Sequence, residues 1–287
     1  MPRISYVNGR YLPHADAKVH MEDRGYQFAD GVYEVCEVAR GHIMDMSGHL
    51  DRLDRSLGEL AIAWPLERRV LPAIMREVVA RNRVRDGLVY LQITRGVAPR
   101  DHAFPAPSTR PSLVVTAKRS DPQAARRRAE TGIAVITVPE NRWDRVDIKT
   151  VGLLPNVLAR QKAKDAGAQE AWFVDPDGTI KEGASTNVWI VTGDGHLVTR
   201  PADRGILRGI TRATVFRIAE QLGYTVEERA FTVEEAQQAR EAFVTAATTV
   251  VMPVVRIDDK PVANGHPGTV ALSLREAFFD VAEKTQA

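Results

Sequence analysis

The order of strand-like and helix-like patterns constrains the fold of this 287-residue chain more than any other feature. Asn8-Gly9 separates two β-prone runs, and both residues tolerate the positive φ of a type I′ hairpin turn. A second hairpin is predicted over residues 188–200, where Gly-Asp-Gly separates two further β-prone runs. Between Leu50 and Leu60, leucines recur at helical spacing. Hairpins and helices that follow one another without regular alternation predict an α+β fold rather than a doubly wound one.

The length indicates two domains, and we place their junction near residue 120, at a predicted short helix. We expect an N-terminal domain over residues 1–120, an interdomain linker over 121–131 that includes a short helix, and a larger domain over 132–287. An amphipathic pattern over residues 268–284 predicts a helix that closes the chain.

Composition and charge indicate an ordinary globular protein, with 44% hydrophobic and 26% charged residues. The 39 Lys and Arg residues nearly balance 37 Asp and Glu residues, so no global field favours nucleic acid or anionic membrane as a partner. The basic run at 125–130 is interpreted as a solvated helix face. Neither a signal-peptide pattern nor a long apolar run occurs, so a cytoplasmic enzyme is expected.

Several common chemistries have no motif in this chain. A single cysteine, Cys36, excludes an internal disulfide and a multi-thiolate metal site, and its alternating surroundings predict a buried structural thiol. The sequence contains no GxGxxG, GxxxxGK[ST], GxSxG or HExxH motif. Nucleotide, serine-hydrolase and zinc-protease functions are therefore unsupported, and no metal site is expected.

Lys149 is the first candidate for covalent chemistry. It lies in VDIKTVGLLPN, residues 146–156, and we expect it at the end of a strand among apolar neighbours. Partial desolvation would make a neutral amine available as a nucleophile toward a carbonyl. A lone lysine in such a run is more often a snorkelling surface residue, so the interpretation depends on companions.

Two further segments supply such companions. An aldehyde cofactor with a phosphate and a pyridine nitrogen needs an acid facing the nitrogen and a cradle for the phosphate. Glu182 precedes small hydroxyl residues in KEGASTN, residues 181–187. In ILRGIT, residues 206–211, Gly209 precedes a predicted helix whose first N–H groups, at Ile210 and Thr211, form an anion site. Taken alone, Glu182 is more often a turn carboxylate, and Thr211 is more often a plain helix cap.

Five segments, in this order, carry a family resemblance: EDRGYQFADGVYEV, ITRGVAPRDHAFP, DIKTVGLLPNVLARQKA, EGASTNVWIV and LRGITR. Together they resemble the fold-type IV pyridoxal-phosphate transaminases, and within them the D-amino acid transaminases. The likeness spans nearly the whole chain. It implies a two-domain fold, with a small N-terminal α/β domain and a larger, β-barrel-like α+β domain.

The resemblance also implies a role for each site residue. Lys149 forms a Schiff base with pyridoxal 5′-phosphate and then moves the substrate proton, while Glu182 faces the pyridine nitrogen. Arg52 binds the phosphate with Ile210 and Thr211, and Leu207 packs against the ring. The remaining cofactor-binding residues implied are Ser185, Thr186, Asn187 and Thr248. Hydroxyl residues usual in the family are replaced here by Ala246 and Ala247, which leaves Thr248 and backbone N–H groups to complete the phosphate contacts.

Substrate recognition narrows the choice within the family. Arg100 and His102, in PRDH, resemble the carboxylate trap of D-amino acid transaminases, together with Tyr33. The family places the arginine and histidine in the partner's site, which implies a homodimer with shared active sites.

The expected reaction converts D-alanine and 2-oxoglutarate, a D-amino acid and a 2-oxo acid, into pyruvate and D-glutamate. The alternatives on the same fold are a branched-chain L-amino acid transaminase and an aminodeoxychorismate lyase, and the PRDH loop argues against both. A non-catalytic nucleic-acid-binding protein is the alternative from another class, but it leaves the five ordered segments unexplained.

Overall fold

The structure is a computed structural model that describes residues 3–287. It divides into two compact units. The first contains the chain up to Asp121 together with Ile148–Gly152 and Glu283–Ala287. The second contains Pro122–Asp147 and Leu153–Ala282. Lys149 and the extreme C-terminus therefore belong to the first unit, although both follow the predicted linker in sequence.

The strands, numbered in chain order, are β1 Ile4–Val7, β2 Arg10–Pro13, β3 Gly31–Ala39, β4 His42–Met44, β5 Gly87–Thr94, β6 Ser112–Arg119, β7 Ile133–Pro139, β8 Glu170–Val174, β9 Ile180–Gly183, β10 Asn187–Val191, β11 Leu197–Thr199, β12 Val226–Glu228, β13 Glu241–Ala246, β14 Val250–Ile257, β15 Lys260–Pro261 and β16 Lys284–Gln286. The helices are α1 Arg24–Phe28, α2 Met46–Glu59, α3 Leu71–Arg81, α4 Pro122–Thr131, α5 Leu154–Asp165, α6 Ile210–Gln221, α7 Val233–Gln238 and α8 Thr269–Val281.

The first unit is built on a seven-stranded sheet in the order β16-β4-β3-β5-β6-β1-β2. Its strand pairs are antiparallel. The predicted hairpin is confirmed, since Asn8 and Gly9 have φ of 45° and 91° between β1 and β2. Helices α2 and α3 contribute Leu53 and Met75 to a core shared with the sheet.

The second unit contains a nine-stranded sheet in the order β12-β11-β10-β13-β14-β7-β8-β9, with β15 paired to β14. Strand β7 runs parallel to both β8 and β14, and β11 runs parallel to β12, while the other pairs are antiparallel. The core under this sheet includes Trp172, Ile190, Val244 and Met252. Mixed strand directions beside separate helices confirm the predicted α+β class.

Two details of the sequence interpretation are confirmed, namely a short helix and a buried cysteine. The short helix predicted within residues 121–131 is α4, on which Arg126, Arg127 and Arg128 are exposed. Cys36 is buried and free. No helix within residues 3–287 combines the length and apolarity needed to cross a membrane.

The predicted end of the chain was wrong. Helix α8 ends at Val281, and the following residues form β16 on the edge of the first sheet. Backbone pairing explains the change, because Asp45 N donates to Glu283 O at 2.9 Å and Ala287 N donates to Gly41 O at 3.0 Å. Glu283 N also donates to the Asp45 carboxylate at 2.9 Å.

We expect removal of residues 283–287 to lower the free energy of unfolding by several kcal/mol, because each of these hydrogen bonds contributes about 1 kcal/mol. Urea denaturation of the truncated chain measures the loss. The control is Lys284→Ala, which keeps the backbone pairing of an exposed residue and is expected to change stability by less than about 0.5 kcal/mol. Equal stability of truncated and full-length chains would contradict the role assigned to β16.

Candidate active site

The Lys149 segment lies along the first residues of β3. Tyr33 N donates to Lys149 O at 3.0 Å, and Val151 N donates to Gly31 O at 3.0 Å. Thr150 forms an isolated antiparallel bridge with Val32. The Lys149 ammonium nitrogen lies 4.2 Å from the centroid of the Tyr33 ring. The register of this backbone pairing therefore places the Lys149 amine above the Tyr33 ring.

The predicted strand end at Lys149 was wrong. Residues 144–147 form turns, and Lys149 itself belongs to no regular strand. Of the apolar neighbours, Ile148 is 4% exposed and joins the first core, whereas Val146, Val151 and Leu153 are only half-buried. The amine is therefore positioned mainly by two backbone hydrogen bonds and the Tyr33 ring, and less by an apolar wall.

A buried cluster of charged and polar groups lies on the core-facing side of β3. Glu34 accepts hydrogen bonds from Arg52 Nε and Nη2, each at 2.7 Å. His49 Nδ1 lies 2.7 Å from Glu34 Oε2. All three side chains are nearly inaccessible to solvent. Because Arg52 uses one side of its guanidinium for Glu34, the planar group is held in a fixed orientation.

The charges in this cluster decide its protonation. Burial by itself opposes ionisation of Glu34, but the Arg52 charge and the hydrogen bonds from Arg52 and His49 lower its pKa to about 2. Burial lowers the pKa of His49, and the positive charges of Arg52 and Lys149 act in the same direction. The cluster is therefore an ionised Glu34–Arg52 pair beside a neutral imidazole at neutral pH.

In the second unit, Glu182 is 4% exposed and accepts hydrogen bonds at both oxygens. Oε1 accepts from Arg142 Nη1 at 2.7 Å, and Oε2 accepts from Leu207 N at 3.0 Å and Asn187 Nδ2 at 3.2 Å. Arg142 also binds Glu140, with its Nη2 2.6 Å from Glu140 Oε2. Since each carboxylate oxygen has two lone pairs, Oε1 keeps one acceptor position after binding Arg142.

The balance of forces at Glu182 differs from that at Glu34. Burial raises the pKa of Glu182, and the opposing effect of Arg142 does not cancel it, while the negative charge of Glu140 acts with burial. Burial also opposes ionisation of Glu140, but its hydrogen bonds with Arg142 lower its pKa. Glu182 thus holds its proton more readily than an ordinary glutamate.

The hydroxyl residues that follow Glu182 have other partners. Ser185 Oγ and Thr186 Oγ1 donate to Glu170 Oε2 at 2.9 and 3.3 Å. Asn187 instead joins three elements of the second unit, since its amide also donates to Leu207 O at 2.9 Å. In this structure, Ser185 and Thr186 are engaged with Glu170, whereas Asn187 is bound to Glu182 itself.

Helix α6 begins where the sequence predicted. Its N-cap is Gly209, which offers no side chain to the first-turn N–H groups of Ile210 and Thr211. A Cβ atom at Gly209 would lie 2.0 Å from Asn187 Oδ1, so the close approach of Asn187 requires glycine here. The positive end of the helix dipole and the uncapped N–H groups suit an anion.

The loop after β13 bears the predicted alanines. Ala246 ends β13, and residues 247–249 form a turn in which Thr248 is exposed. Within residues 3–287, the buried Thr249 Oγ1 has no hydrogen-bond partner. Arg275 Nη1 supports this turn through the carbonyl oxygens of Thr249 and Val251. The hydroxyl that lacks a partner is therefore that of Thr249, which the sequence interpretation had not named.

Arg100 and His102 lie on an exposed, irregular loop and contact the same aromatic ring. The Arg100 guanidinium carbon lies 4.8 Å from the Phe28 ring centroid, and the His102 and Phe28 ring centroids are 5.4 Å apart. Tyr33 lies on β3, and its ring centroid is 5.7 Å from that of Tyr90. The loop therefore presents a cation and an imidazole together.

Comparison with known proteins decides the family. A family model described as amino-transferase class IV matches residues 31–257. D-alanine aminotransferase of Bacillus licheniformis is 38% identical over 271 residues, covering 94% of each chain. D-alanine aminotransferase of Staphylococcus haemolyticus is 38% identical over 273 residues, covering 95% of each chain. The chain belongs to the class IV aminotransferase family.

Solved structures of branched-chain amino acid aminotransferases have the same fold. A branched-chain amino acid aminotransferase from the organism abbreviated T.th., with pyridoxamine 5′-phosphate, superposes with a TM-score of 0.88 at 28% identity, covering 98% of this chain and 94% of that chain. A branched-chain amino acid aminotransferase from Escherichia coli superposes with a TM-score of 0.90 at 24% identity, covering 98% of this chain and 95% of that chain. At this identity the likeness shows the fold alone. The predicted fold-type IV architecture is confirmed.

Within each unit of this class IV aminotransferase, the structure brings several predicted site residues together. In the first unit, Lys149 lies over Tyr33, whose chain neighbour Glu34 binds Arg52. In the second unit, Glu182 binds Asn187 and Leu207.

Sequence reasoning missed three groups in the same surroundings, namely Glu34, Arg142 and Phe28. Only Glu34 had a clear signal, because it occupies an apolar position in the alternation of Val32, Cys36 and Val38.

Stability of the class IV aminotransferase is expected to depend on Glu34 in a pH-dependent way. Because the folded pKa of about 2 lies below the ordinary value of 4.5, the pairing stabilises the fold above pH 4.5 and is lost as the pH falls toward 2. We expect Glu34→Gln to lower the free energy of unfolding at pH 7 by about 3 kcal/mol.

Denaturant titrations of wild type and Glu34→Gln between pH 7 and pH 3 measure this difference, which should shrink below pH 4.5. The control is Glu77→Gln, which removes a half-exposed ion pair with Arg81 and should cost less than about 1 kcal/mol. A difference that is independent of pH would refute the assignment of a strongly ionised Glu34.

Proposed function

We propose that this class IV aminotransferase is a pyridoxal-phosphate-dependent D-amino acid aminotransferase that converts D-alanine and 2-oxoglutarate into pyruvate and D-glutamate. The observation that carries the proposal is the likeness to D-alanine aminotransferases over about 94% of both chains. Identity of 36–38% recurs among further curated D-alanine aminotransferases.

The residues present fit pyridoxal 5′-phosphate. Helix α6 has a glycine cap and an N-terminus suited to a phosphate. Thr249 Oγ1 is a buried hydroxyl without a partner in the part of the chain that the structure describes. Glu182 Oε1 keeps an acceptor position suited to a pyridinium N–H. A related structure at 28% identity contains pyridoxamine 5′-phosphate.

The residues that we propose for cofactor binding are those that the family resemblance implies. The Lys149 amine would hold the cofactor aldehyde, and Arg52, oriented by Glu34, would bind the phosphate. Glu182 would bind the ring nitrogen, and Leu207 would pack against the ring. The N–H groups of Ile210 and Thr211 would also bind the phosphate, and the remaining contacts are assigned to Ser185, Thr186, Asn187 and Thr248.

The cofactor supplies an electrophilic aldehyde and a ring that accepts the electron pair left at the substrate Cα. Arg142 and Glu140 hold the Glu182 carboxylate in place for the ring nitrogen. Lys149 would hold the aldehyde group, and its amine, when free, would accept the substrate Cα proton and later donate a proton. The Tyr33 ring, whose centroid is 4.2 Å from the Lys149 nitrogen, would stabilise this group once it carries the proton.

The substrate carboxylate is bound by Arg100 and His102, joined by Tyr33. An arginine fork matches a planar carboxylate, and an adjacent imidazole adds a second donor. Fixing the carboxylate on one side directs the Cα–H bond of one enantiomer toward Lys149. We propose that Arg100 and His102 reach the partner's site in a cytoplasmic homodimer.

Branched-chain L-amino acid transamination is the second candidate, because the T.th. branched-chain enzyme has a TM-score of 0.88 with this chain. The two functions differ in how the carboxylate is bound. The PRDH loop and the higher identity with D-alanine aminotransferases favour the D-amino acid.

Lys149→Ala should abolish the visible absorption band of the bound cofactor and the transfer of amino groups. The reason is the loss of the amine that binds the cofactor aldehyde. Absorption spectra, followed by borohydride reduction and peptide mass analysis of wild type, locate the attachment. Lys164→Ala, an exposed lysine on α5, is the matched control and should keep the band. A band that survives in Lys149→Ala would refute this assignment.

D-alanine, and not L-leucine, should bleach the cofactor band of the wild-type enzyme in a half-reaction. Arg100→Met should raise KM for D-alanine about tenfold or more, since a hydrogen bond to a charged group contributes about 1.5–3 kcal/mol. Arg110→Met, an exposed arginine of the same loop, should leave KM unchanged. Bleaching by L-leucine alone would favour the branched-chain function instead.

A further inference from the structure

One aromatic ring organises the predicted carboxylate trap. The Phe28 ring, at the end of α1, lies 4.8 Å from the guanidinium carbons of both Arg24 and Arg100. The His102 ring centroid lies 5.4 Å from the Phe28 centroid. We call Phe28 with these three side chains the Phe28 platform. Its ring is the shared contact of the two groups that would bind a carboxylate.

Arg24 fixes the backbone beneath the trap. Its Nη1 donates to Asp101 O at 2.6 Å, and its Nε donates to Asp30 Oδ2 at 2.8 Å. Arg24 is 3% exposed, so these bonds are shielded from water. Because Asp101 lies between Arg100 and His102 in sequence, its hydrogen bond with Arg24 restricts the directions in which both side chains can point.

Asp30 connects this contact to the other end of the loop. Its carboxylate also binds Arg95, with Nε at 2.7 Å and Nη2 at 3.0 Å. The Arg95 guanidinium carbon lies 3.7 Å from the Phe104 ring centroid. Burial opposes ionisation of Asp30, but hydrogen bonds from Arg95 and Arg24 lower its pKa. One ionised carboxylate therefore orients two arginines, which hold the loop at Asp101 and Phe104.

Charge pairing differs within this group of arginines. Arg24 and Arg95 are both paired with Asp30, and both are buried. Arg100 is exposed, and within residues 3–287 no carboxylate lies at ion-pair distance from it. The platform thus supports a cation whose charge is available to an incoming anion, while the two supporting arginines share the Asp30 carboxylate.

We propose that Phe28, Arg24 and Asp30 are positioning residues that hold Arg100 and His102 side by side for the α-carboxylate of the substrate. This inference rests on the proposed function, and it assigns residues that determine KM rather than the rate of proton transfer. Without the Phe28 ring, the substrate alone would have to order the Arg100 and His102 side chains. Such ordering is costly in binding free energy.

The experiment compares Phe28→Leu, Phe28→Tyr and Asp30→Asn with wild type, all as holoenzymes. The readouts are KM and kcat for D-alanine and 2-oxoglutarate, the cofactor band, the melting temperature, and calorimetric binding of propionate. Propionate is a carboxylate that cannot be transaminated. Tyr26→Leu is the matched control, because Tyr26 is a 77% exposed aromatic residue on the same helix α1.

We expect Phe28→Leu and Asp30→Asn to raise KM for both substrates about tenfold and to weaken propionate binding by a similar factor. Because these residues do not contact the reacting atoms, kcat should stay within about threefold and the cofactor band should not change. Phe28→Tyr, which keeps the aromatic ring, should keep KM near the wild-type value. Tyr26→Leu should match wild type.

Two results would overturn the inference. One is unchanged KM and unchanged propionate affinity in both Phe28→Leu and Asp30→Asn. The other is a joint loss of kcat, cofactor band and melting temperature, which would assign these residues to folding alone. Failure of the proposed function is distinguishable, since the wild-type enzyme would then not react with D-alanine. Propionate binding would still measure the effect of Phe28 on carboxylate affinity.

Discussion

The buried ion pair between Glu34 and Arg52 is the interaction on which the first unit depends. Glu34 occupies a core-facing position of β3, where an unpaired carboxylate would cost several kcal/mol in desolvation. Arg52 and His49 lie on the buried face of α2 and satisfy it at 2.7 Å. The pair therefore fixes the position of α2 on β3. It also orients the arginine that we propose for the cofactor phosphate, so folding and cofactor binding depend on the same charges.

The same strand links this pair to Lys149, the proposed nucleophile. The first residues of β3 pair with the Lys149 segment through the hydrogen bond from Tyr33 N to Lys149 O and that from Val151 N to Gly31 O. Because side chains alternate along a strand, Tyr33 lies on the face opposite to Glu34 and is available to the Lys149 amine. A one-residue slip of this register would exchange the two, and would bury Tyr33 where the carboxylate now meets Arg52.

The two buried glutamates show how the surroundings assign different tasks to one residue type. Glu34 faces an arginine and a histidine, and its pKa falls to about 2. Glu182 faces Arg142, but Arg142 is shared with Glu140, and burial raises the pKa of Glu182. A carboxyl group that holds its proton more readily is suited to share one with a ring nitrogen, whereas an ionised one is suited to a permanent ion pair. On the substrate side, the Phe28 platform uses Asp30 in the second way, since its charge stays paired while that of Arg100 is available.

Sequence patterns alone determined the α+β class, the hairpin at Asn8-Gly9, the start of α6 at Ile210 and the order of segments that resembles the family. These features depend on local preferences, such as positive φ at a turn and uncapped N–H groups at a helix start. Local preferences can be predicted from neighbouring residues in the sequence. Only the tertiary structure decided that residues 284–286 form a strand and that Lys149 leaves the strand pattern. It also decided that Ser185 and Thr186 bind Glu170 and that Arg142 binds Glu182. The contacts of the Phe28 ring with Arg24, Arg100 and His102 likewise come from the tertiary structure. Each of these depends on partners distant in sequence or on an exposed loop without periodicity. Such contacts cannot be predicted from local sequence, because only the packing of distant segments places an opposite charge beside a buried one.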